Sequence, residues 1–280
     1  MIIDMRVRPP FGSFLKDLKL YDPDGLKMSA DLFKYNPSAA ALNRNMDLFI
    51  QEMDDAGVDK AVLPVRATSN GKNEVIAELL KLYPERFIGM AGINPLDDIM
   101  VSLNTIDEYV VNGGFIGINI EPGFTPAPYA KNALHCNDRI IYPVYAKCEA
   151  ANVPVLLSFG GLCHESLSNF RPEDLDNMLS DFPKLKVIIS HGGFPHIPQV
   201  FWIAQRRGNL WIGADVYAFA GGGSQYIEAA KYFCQNRICF GSAYPVLSMP
   251  KAVELYKGFN MPEDIYAQVM GKAAELAFNL

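Results

Sequence analysis

The sequence predicts an α/β protein, a (β/α)8 TIM barrel with a long excursion between the first strand and its helix. Three observations carry this. Eight short runs rich in Val, Ile and Leu recur along the 280 residues, and after the first their starts lie roughly 25 to 40 residues apart, the reach of a strand, a helix and two loops. Helical patterns fill the intervals, which calls for parallel pairing and right-handed crossovers. The length suits one barrel of ~250 residues. An open doubly wound sheet also satisfies the alternation. Eight repeats with no second composition regime, linker or low-complexity tract favour the barrel, so residues 1–280 read as one domain.

The predicted strands are Ile2–Val7, Lys60–Arg66, Phe87–Ile93, Phe115–Ile120, Val153–Ser158, Lys186–Ser190, Leu210–Val216 and Arg237–Ser242. Between them, Leu42–Ala56 places Leu42, Met46, Phe49, Ile50 and Met53 at helical spacing, with Gly57 as the stop. Asn73–Tyr83 opens on a capping residue and ends before Pro84. Asp138–Ala151 carries Ile141, Val144, Tyr145 and Cys148 on one stripe, and Pro172–Ser180 has Pro in its first turn with Glu173 and Asp174 behind it. A helix over Glu263–Leu276 closes the pattern.

Composition narrows the function classes. The net charge of −6 gives no electrostatic footprint for nucleic acid or an anionic membrane. No apolar stretch approaches the ~18 residues needed to span a bilayer, and Met1-Ile2-Ile3-Asp4 lacks the basic start of a signal peptide. The cysteines Cys136, Cys148, Cys163, Cys234 and Cys239 are odd in number and form no CxxC pair, which reads as free thiols in a reducing cytoplasm. Neither GxxxxGK[ST] nor GxSxG occurs, so nucleotide-cradling and serine-hydrolase motifs are missing. Gly221-Gly222-Gly223 reads as flexible chain beside a pocket.

The segment 9–41 contains Pro9-Pro10, Gly12, Asp22-Pro23-Asp24-Gly25 and Asn36-Pro37. It leaves the C-terminal end of strand one, where barrel active sites lie, and is too long for a plain connector. It is expected to act as a lid that lends Phe11, Phe14 or Tyr21 to the pocket; an oligomerising excursion is the other reading.

Two-residue periodicity puts Arg6 and Arg8 on one strand face at the barrel mouth, with Asp4 one layer deeper. Two guanidiniums there fit a clamp for a carboxylate; the competing reading is an ion-pair network with Asp4, Glu121 or Asp215. On the clamp reading, replacing Arg8 by Met is expected to leave the fold nearly intact. Arg66 and Asn119, late in their strands, are further substrate contacts if they face the mouth.

Several stretches resemble the amidohydrolase-related family of barrel hydrolases and decarboxylases. Phe182 to Gly193, reading FPKLKVIISHGG, is similar to its sixth-strand signature. Phe240-Gly241-Ser242-Ala243-Tyr244-Pro245 is similar to its eighth, where Asp normally follows Gly-Ser. Gly57-Val58-Asp59-Lys60-Ala61-Val62, Pro154-Val155-Leu156-Leu157-Ser158 and Val269 to Leu276 resemble its second-strand entry, fifth strand and closing helix. The resemblance implies an amidohydrolase-type barrel with one divalent metal, bound by a first-strand His-x-His, a strand-five His and a strand-eight Asp. The matching positions here are Arg6, Arg8, Ser158 and Ala243. A guanidinium has no lone pair to offer a metal, so no metal and no other cofactor is expected. His191 matches the family's acid/base histidine, and Asp215 is placed to orient it or Arg8. Cys163-His164-Glu165 reads as a loop flanking the pocket, with rebuilt metal or nucleophilic chemistry as the alternative; His135 and His196 are read as non-catalytic.

The expected function is a metal-independent hydrolase acting on a lactone, ester or amide of a small carboxylate-bearing, anionic substrate. His191 is the catalytic residue; Arg6, Arg8, Arg66, Ser158 and Asn119 bind substrate; Asp4 and Asp215 support them. A carboxy-lyase on an aromatic or muconate-type acid and a non-catalytic carboxylate-binding barrel are the alternatives. Neither nucleic acid nor membrane is an expected partner, and a homo-oligomer is compatible with the sequence.

Overall fold

In the computed structural model, which describes residues 1–123, 134–161 and 167–280, eight parallel strands follow one another around a single sheet in chain order. They are β1 (Ile3–Asp4), β2 (Lys60–Pro64), β3 (Phe87–Ile93), β4 (Gly117–Ile120), β5 (Val155–Ser158), β6 (Val187–Ser190), β7 (Leu210–Gly213) and β8 (Ile238–Cys239). The sheet closes between its first and last members: Met5 N–H donates to Phe240 O at 3.0 Å and Arg8 N–H to Tyr244 O at 3.1 Å. The sequence-read strands are longer than the observed ones at most ends. At the mouth the chain turns aside to present side chains, and regular ladder bonding stops.

Along each strand the apolar residues divide by the period of two. Val62, Met90, Leu156, Ile188 and Trp211 pack inside the barrel with Ile3 and Met5. Ala61, Ala91, Leu157, Ile189 and Ile212 face outward onto the helices. The alternation slips by one after Met5, because Val7 joins the outer core. Arg6 and Arg8 therefore reach the mouth, whereas Asp4, in register with the outward Ala61, lies in the wall and not one layer below them.

The helices are α1 (Pro23–Phe33), α2 (Ala39–Asn43), α3 (Met46–Ala56), α4 (Asn73–Leu82), α5 (Ile99–Thr105), α6 (Tyr142–Ala150), α7 (Pro172–Asp181), α8 (Ile197–Arg206), α9 (Ser224–Lys231), α10 (Met249–Lys257), α11 (Glu263–Ala267) and α12 (Ala273–Phe278). The helix expected over Leu42–Ala56 is two: Arg44 adopts a left-handed conformation, and the Asn45 side chain caps α3 by accepting from Leu48 N–H. The expected closing helix is likewise divided, with a π-helical stretch at Gln268–Lys272 between α11 and α12. Ala273, Ala274, Ala277 and Phe278 of α12 pack into the inner cluster and plug the barrel's lower end. Cys136, Cys148, Cys234 and Cys239 are buried free thiols. Among the described residues no helix is long and apolar enough to cross a membrane.

Residues 9–41 are largely ordered structure. A short 3-10 helix (Gly12–Lys19) precedes α1 and α2. Phe14 and Tyr21 are buried in the outer core, and the Tyr21 hydroxyl donates to the Arg8 carbonyl. Phe11 packs half-buried against the same core, and it is Asp17 and Phe33, neither singled out by the sequence, that meet Arg8 and Tyr217 at the mouth.

Candidate active site

The barrel mouth gathers three guanidiniums and three carboxylates in a buried layer. Glu121 stands at its centre, two residues beyond inward-facing Asn119. Arg66 Nε donates to Glu121 Oε2, and Arg66 Nη2 lies 3.3 Å from Oε1. Ser158 Oγ donates to Oε1 at 2.9 Å, and Arg8 Nη2 reaches the same oxygen at 3.5 Å. Ser190, in register with Ser158, brings its hydroxyl within 3.3 Å of it. Burial alone pushes the Glu121 carboxyl up, but Arg66, Arg8 and Arg6 outweigh it and hold it well below the usual range.

Arg8 also pairs with Asp17, Nε to Oδ2 at 3.0 Å. Burial, with Arg6 and Arg66 nearby, lowers its guanidinium to about 9, against the pull of Asp17 and Glu121. Arg6 faces Asp215, Nη1 to Oδ2 at 3.7 Å. Three cations thus meet three anions, Glu121, Asp17 and Asp215. The mouth contains the ion-pair network as well as the arginines of the clamp. Sequence reasoning named Glu121 only as one potential partner; its inward register after β4 was the available signal. Asp17 carried none, because its approach to Arg8 depends on the fold of the 9–41 segment.

His191 follows β6 and is 6 % exposed. Its Nδ1 lies 3.2 Å from Asp215 Oδ2, and its main-chain N–H donates to the same oxygen at 3.2 Å. Neither ring nitrogen makes an aligned hydrogen bond among the described residues, so Nδ1 meets Asp215 at ion-pair distance only. Burial and Arg6 lower the imidazole pKa, against the opposing pull of Asp215 and Glu121. Beside it stands an aromatic wall. The Tyr217 ring meets His191 edge-on at 5.5 Å, stacks on Phe194 at 5.1 Å, and receives Phe33 at 6.1 Å. His191, Asp215 and Ala243, at the ends of three successive strands, all have left-handed backbones, with φ of 64, 43 and 54°. Such strain in non-glycine residues concentrates at functional sites.

Other predicted residues sit apart. Asn119 donates its amide to Val65 O at 2.7 Å, fixing the end of β2 below the mouth. Asp4 supports Arg6 through the main chain: its Oδ1 accepts from Arg6 N–H at 3.2 Å and Ser242 N–H at 3.0 Å. His135 pairs with Asp174 at 2.8 Å, at the start of α7, and His196 meets the Phe170 ring edge-on. Cys163, His164 and Glu165 lie outside the described residues.

Burial raises the Asp4 carboxyl from 3.8 to about 7, against its hydrogen bonds from Ser242 and Arg6. The folded state therefore holds this proton more tightly than the unfolded chain. That contribution is complete below about 3.8 and is lost as pH rises through about 7. Asp4→Asn retains the accepting oxygen and has no charge to bury. Its melting temperature is expected to gain on the wild type between pH 4 and 7, at roughly 2–4 °C per kcal/mol. Parallel thermal melts across that range check this; a constant gap refutes it.

Residues 38–280 match the amidohydrolase family profile. The chain belongs to the amidohydrolase family. A curated member-like relative, 2-keto-4-carboxy-3-hexenedioate hydratase of Sphingobium sp. (strain NBRC 103272 / SYK-6), is 30 % identical over 135 residues, 43 % of this chain and 39 % of that protein. The match thus spans well under half of the relative's length. The uncharacterized TIM-barrel protein Bb4693 from Bordetella bronchiseptica aligns with a TM-score of 0.92 at 29 % identity, covering 99 % of this chain and 98 % of its own. 4-Oxalomesaconate hydratase from Rhodopseudomonas palustris aligns at 0.66 and 18 % identity over 100 % and 96 % of the two chains. 2,6-Dihydroxybenzoate decarboxylase from Rhizobium aligns at 0.70 and 17 % over 99 % and 98 %. The last two share the barrel fold.

The divalent metal that the resemblance implies does not fit the residues found at the four matching positions. Arg6 and Arg8 are cations engaged with carboxylates, Ser158 donates its hydroxyl proton to Glu121, and Ala243 has no donor atom. Among the described residues no group of three or more His, Cys, Asp or Glu is placed to hold a metal ion.

Proposed function

We propose that this amidohydrolase-family protein adds water to a small carboxylate-bearing substrate without a metal, opening a lactone, ester or amide bond. The observation that carries the reading is the buried His191–Asp215 pair, with Nδ1 at 3.2 Å from the carboxylate and neither ring nitrogen spent on an aligned hydrogen bond among the described residues. A lowered pKa keeps the imidazole neutral at pH 7 and ready to accept a proton. Water attacks the carbonyl carbon as His191 Nε2 takes its proton. Arg6, 3.7 Å from Asp215, offers positive charge to the oxyanion that forms. His191 then returns the proton to the leaving oxygen or nitrogen. Arg8 and Arg66 hold the substrate carboxylate on the far side, and residues 9–41 act as the lid through Asp17 and Phe33. The hydratase relative supports only the coarser part of the reading, water activated beside carboxylates: its name denotes hydration of a carboxylate-bearing alkene, not opening of an acyl bond.

A panel of carboxylate-bearing lactones, esters and amides, assayed against wild type and His191→Asn, tests this. Turnover lost in the variant is expected. Carbon dioxide release from aromatic or muconate-type acids would replace the proposal with the carboxy-lyase, and binding without any turnover would replace it with the non-catalytic barrel. Elemental analysis of the purified protein is expected to find no stoichiometric zinc, manganese or iron. One tightly held metal per chain would overturn the metal-free chemistry and point to Cys163 and His164.

A further inference from the structure

The two carboxylates that meet Arg8 are held very differently. Glu121 is built into the barrel: Arg66 grips it with two nitrogens and Ser158 donates to it. Asp17 comes from outside the barrel strands, on the 3-10 helix Gly12–Lys19 of the segment 9–41. Its side chain is fully buried, and Oδ2 lies 3.0 Å from Arg8 Nε. Yet neither Asp17 oxygen accepts a hydrogen bond among the described residues, and Arg8 Nε donates none. The pair is close but misaligned. The backbone bends sharply just beyond it, with Leu18 at φ 44° and Lys19 at φ 56°, a region that non-glycine residues rarely enter. Lys16, Leu18 and Lys19 are exposed, so the turn carrying Asp17 borders water.

We propose that Asp17 is an internal counterpart of the substrate carboxylate, competing with it for Arg8, and so sets which ligands enter. This rests on the anion-binding reading above and adds the residue that governs the competition. A buried carboxylate with one misaligned partner gives up little on leaving and regains hydration outside. Arg8 in turn exchanges it for a ligand carboxylate free to align for a charge-assisted, two-pronged contact. Glu121 stays, because Arg66 and Ser158 hold it independently of Arg8. An uncharged ligand offers Arg8 no replacement and leaves Asp17 in place, so the exchange selects anions over their amides.

Malonate, with malonamide as the neutral control, serves as the probe. In titration calorimetry Asp17→Asn is expected to bind malonate at least tenfold more tightly than wild type, with malonamide binding neither. In the wild type, saturating malonate is expected to speed tryptic cleavage after Lys16 and Lys19, read by mass spectrometry. This second measurement needs no variant to fold. Equal or weaker malonate binding by a folded Asp17→Asn, or cleavage at Lys16 and Lys19 that malonate leaves unchanged or slows, overturns the competition. Binding by neither protein overturns the anion pocket and the competition together. Tighter binding by the variant, in a protein that turns over no substrate, refutes the proposed reaction and leaves the competition standing.

Discussion

Replacing Arg8 by Met is expected to lower the unfolding free energy by about 3–5 kcal/mol, the cost of breaking a buried ion pair from one side. Arg8 is 2 % exposed and meets Glu121 and Asp17, which are equally shielded from water. Methionine fills much the same volume but takes the cation from Asp17, which must then stay buried unpaired or draw its segment off the mouth, and strips one from Glu121. From sequence alone the substitution looks harmless, since it removes one of two adjacent positive charges. The structure reverses that expectation by supplying the counter-charges. Urea denaturation with an unchanged slope and a lower midpoint would bear this out. Adding Asp17→Asn to the Arg8→Met protein should restore part of the loss, because the two side chains are in contact and their effects do not add. A single variant as stable as wild type would mean that the pair contributes nothing.

The second large effect falls on turnover. His191→Asn is expected to slow the proposed reaction by about 10²–10⁴-fold, the usual contribution of a positioned general base, while sparing substrate binding. The pH profile gives an independent check. Burial and the Arg6 charge lower the imidazole pKa from 6.5, and the base acts only when deprotonated. The acid limb of kcat/KM should therefore inflect below 6.5, with activity rising as pH rises through that point. Arg6→Met removes one cause of the depression and should move the inflection upward. An inflection above 6.5 in the wild type, or one that Arg6→Met leaves in place, would exclude His191 as the titrating base.

The barrel was legible in the sequence because its inner and outer walls are both apolar. Buried parallel strands such as Val153–Ser158 then read as unbroken hydrophobic runs. The alternation also carried information about the mouth: inward Leu156 leads to Ser158, Ile188 to Ser190, and Trp211 through Gly213 to Asp215. Where the pattern slips, inference slipped with it. The extra step after Met5 sent Asp4 into the wall and could not be seen in a run as uniform as Ile2–Val7. Asp17 was beyond reach for a different reason. Its meeting with Arg8 is set by a helix that ends on two left-handed residues, Leu18 and Lys19, neither of a type that announces that backbone.

The left-handed backbone at Ala243 bears on whether the mouth could be rebuilt to hold a metal ion. Asp and Asn adopt that conformation several-fold more readily than other non-glycine residues, so the main chain at 243 already suits the aspartate that the family resemblance implies there. The obstacle lies across the barrel. Converting Arg6 and Arg8 to metal-binding histidines takes partners from Asp215, Asp17 and Glu121. Each single step would therefore pass through a protein holding an uncompensated buried carboxylate. The arrangement works as a ratchet: the backbone at 243 admits an aspartate, while the interlocked charges resist any single replacement of Arg6 or Arg8.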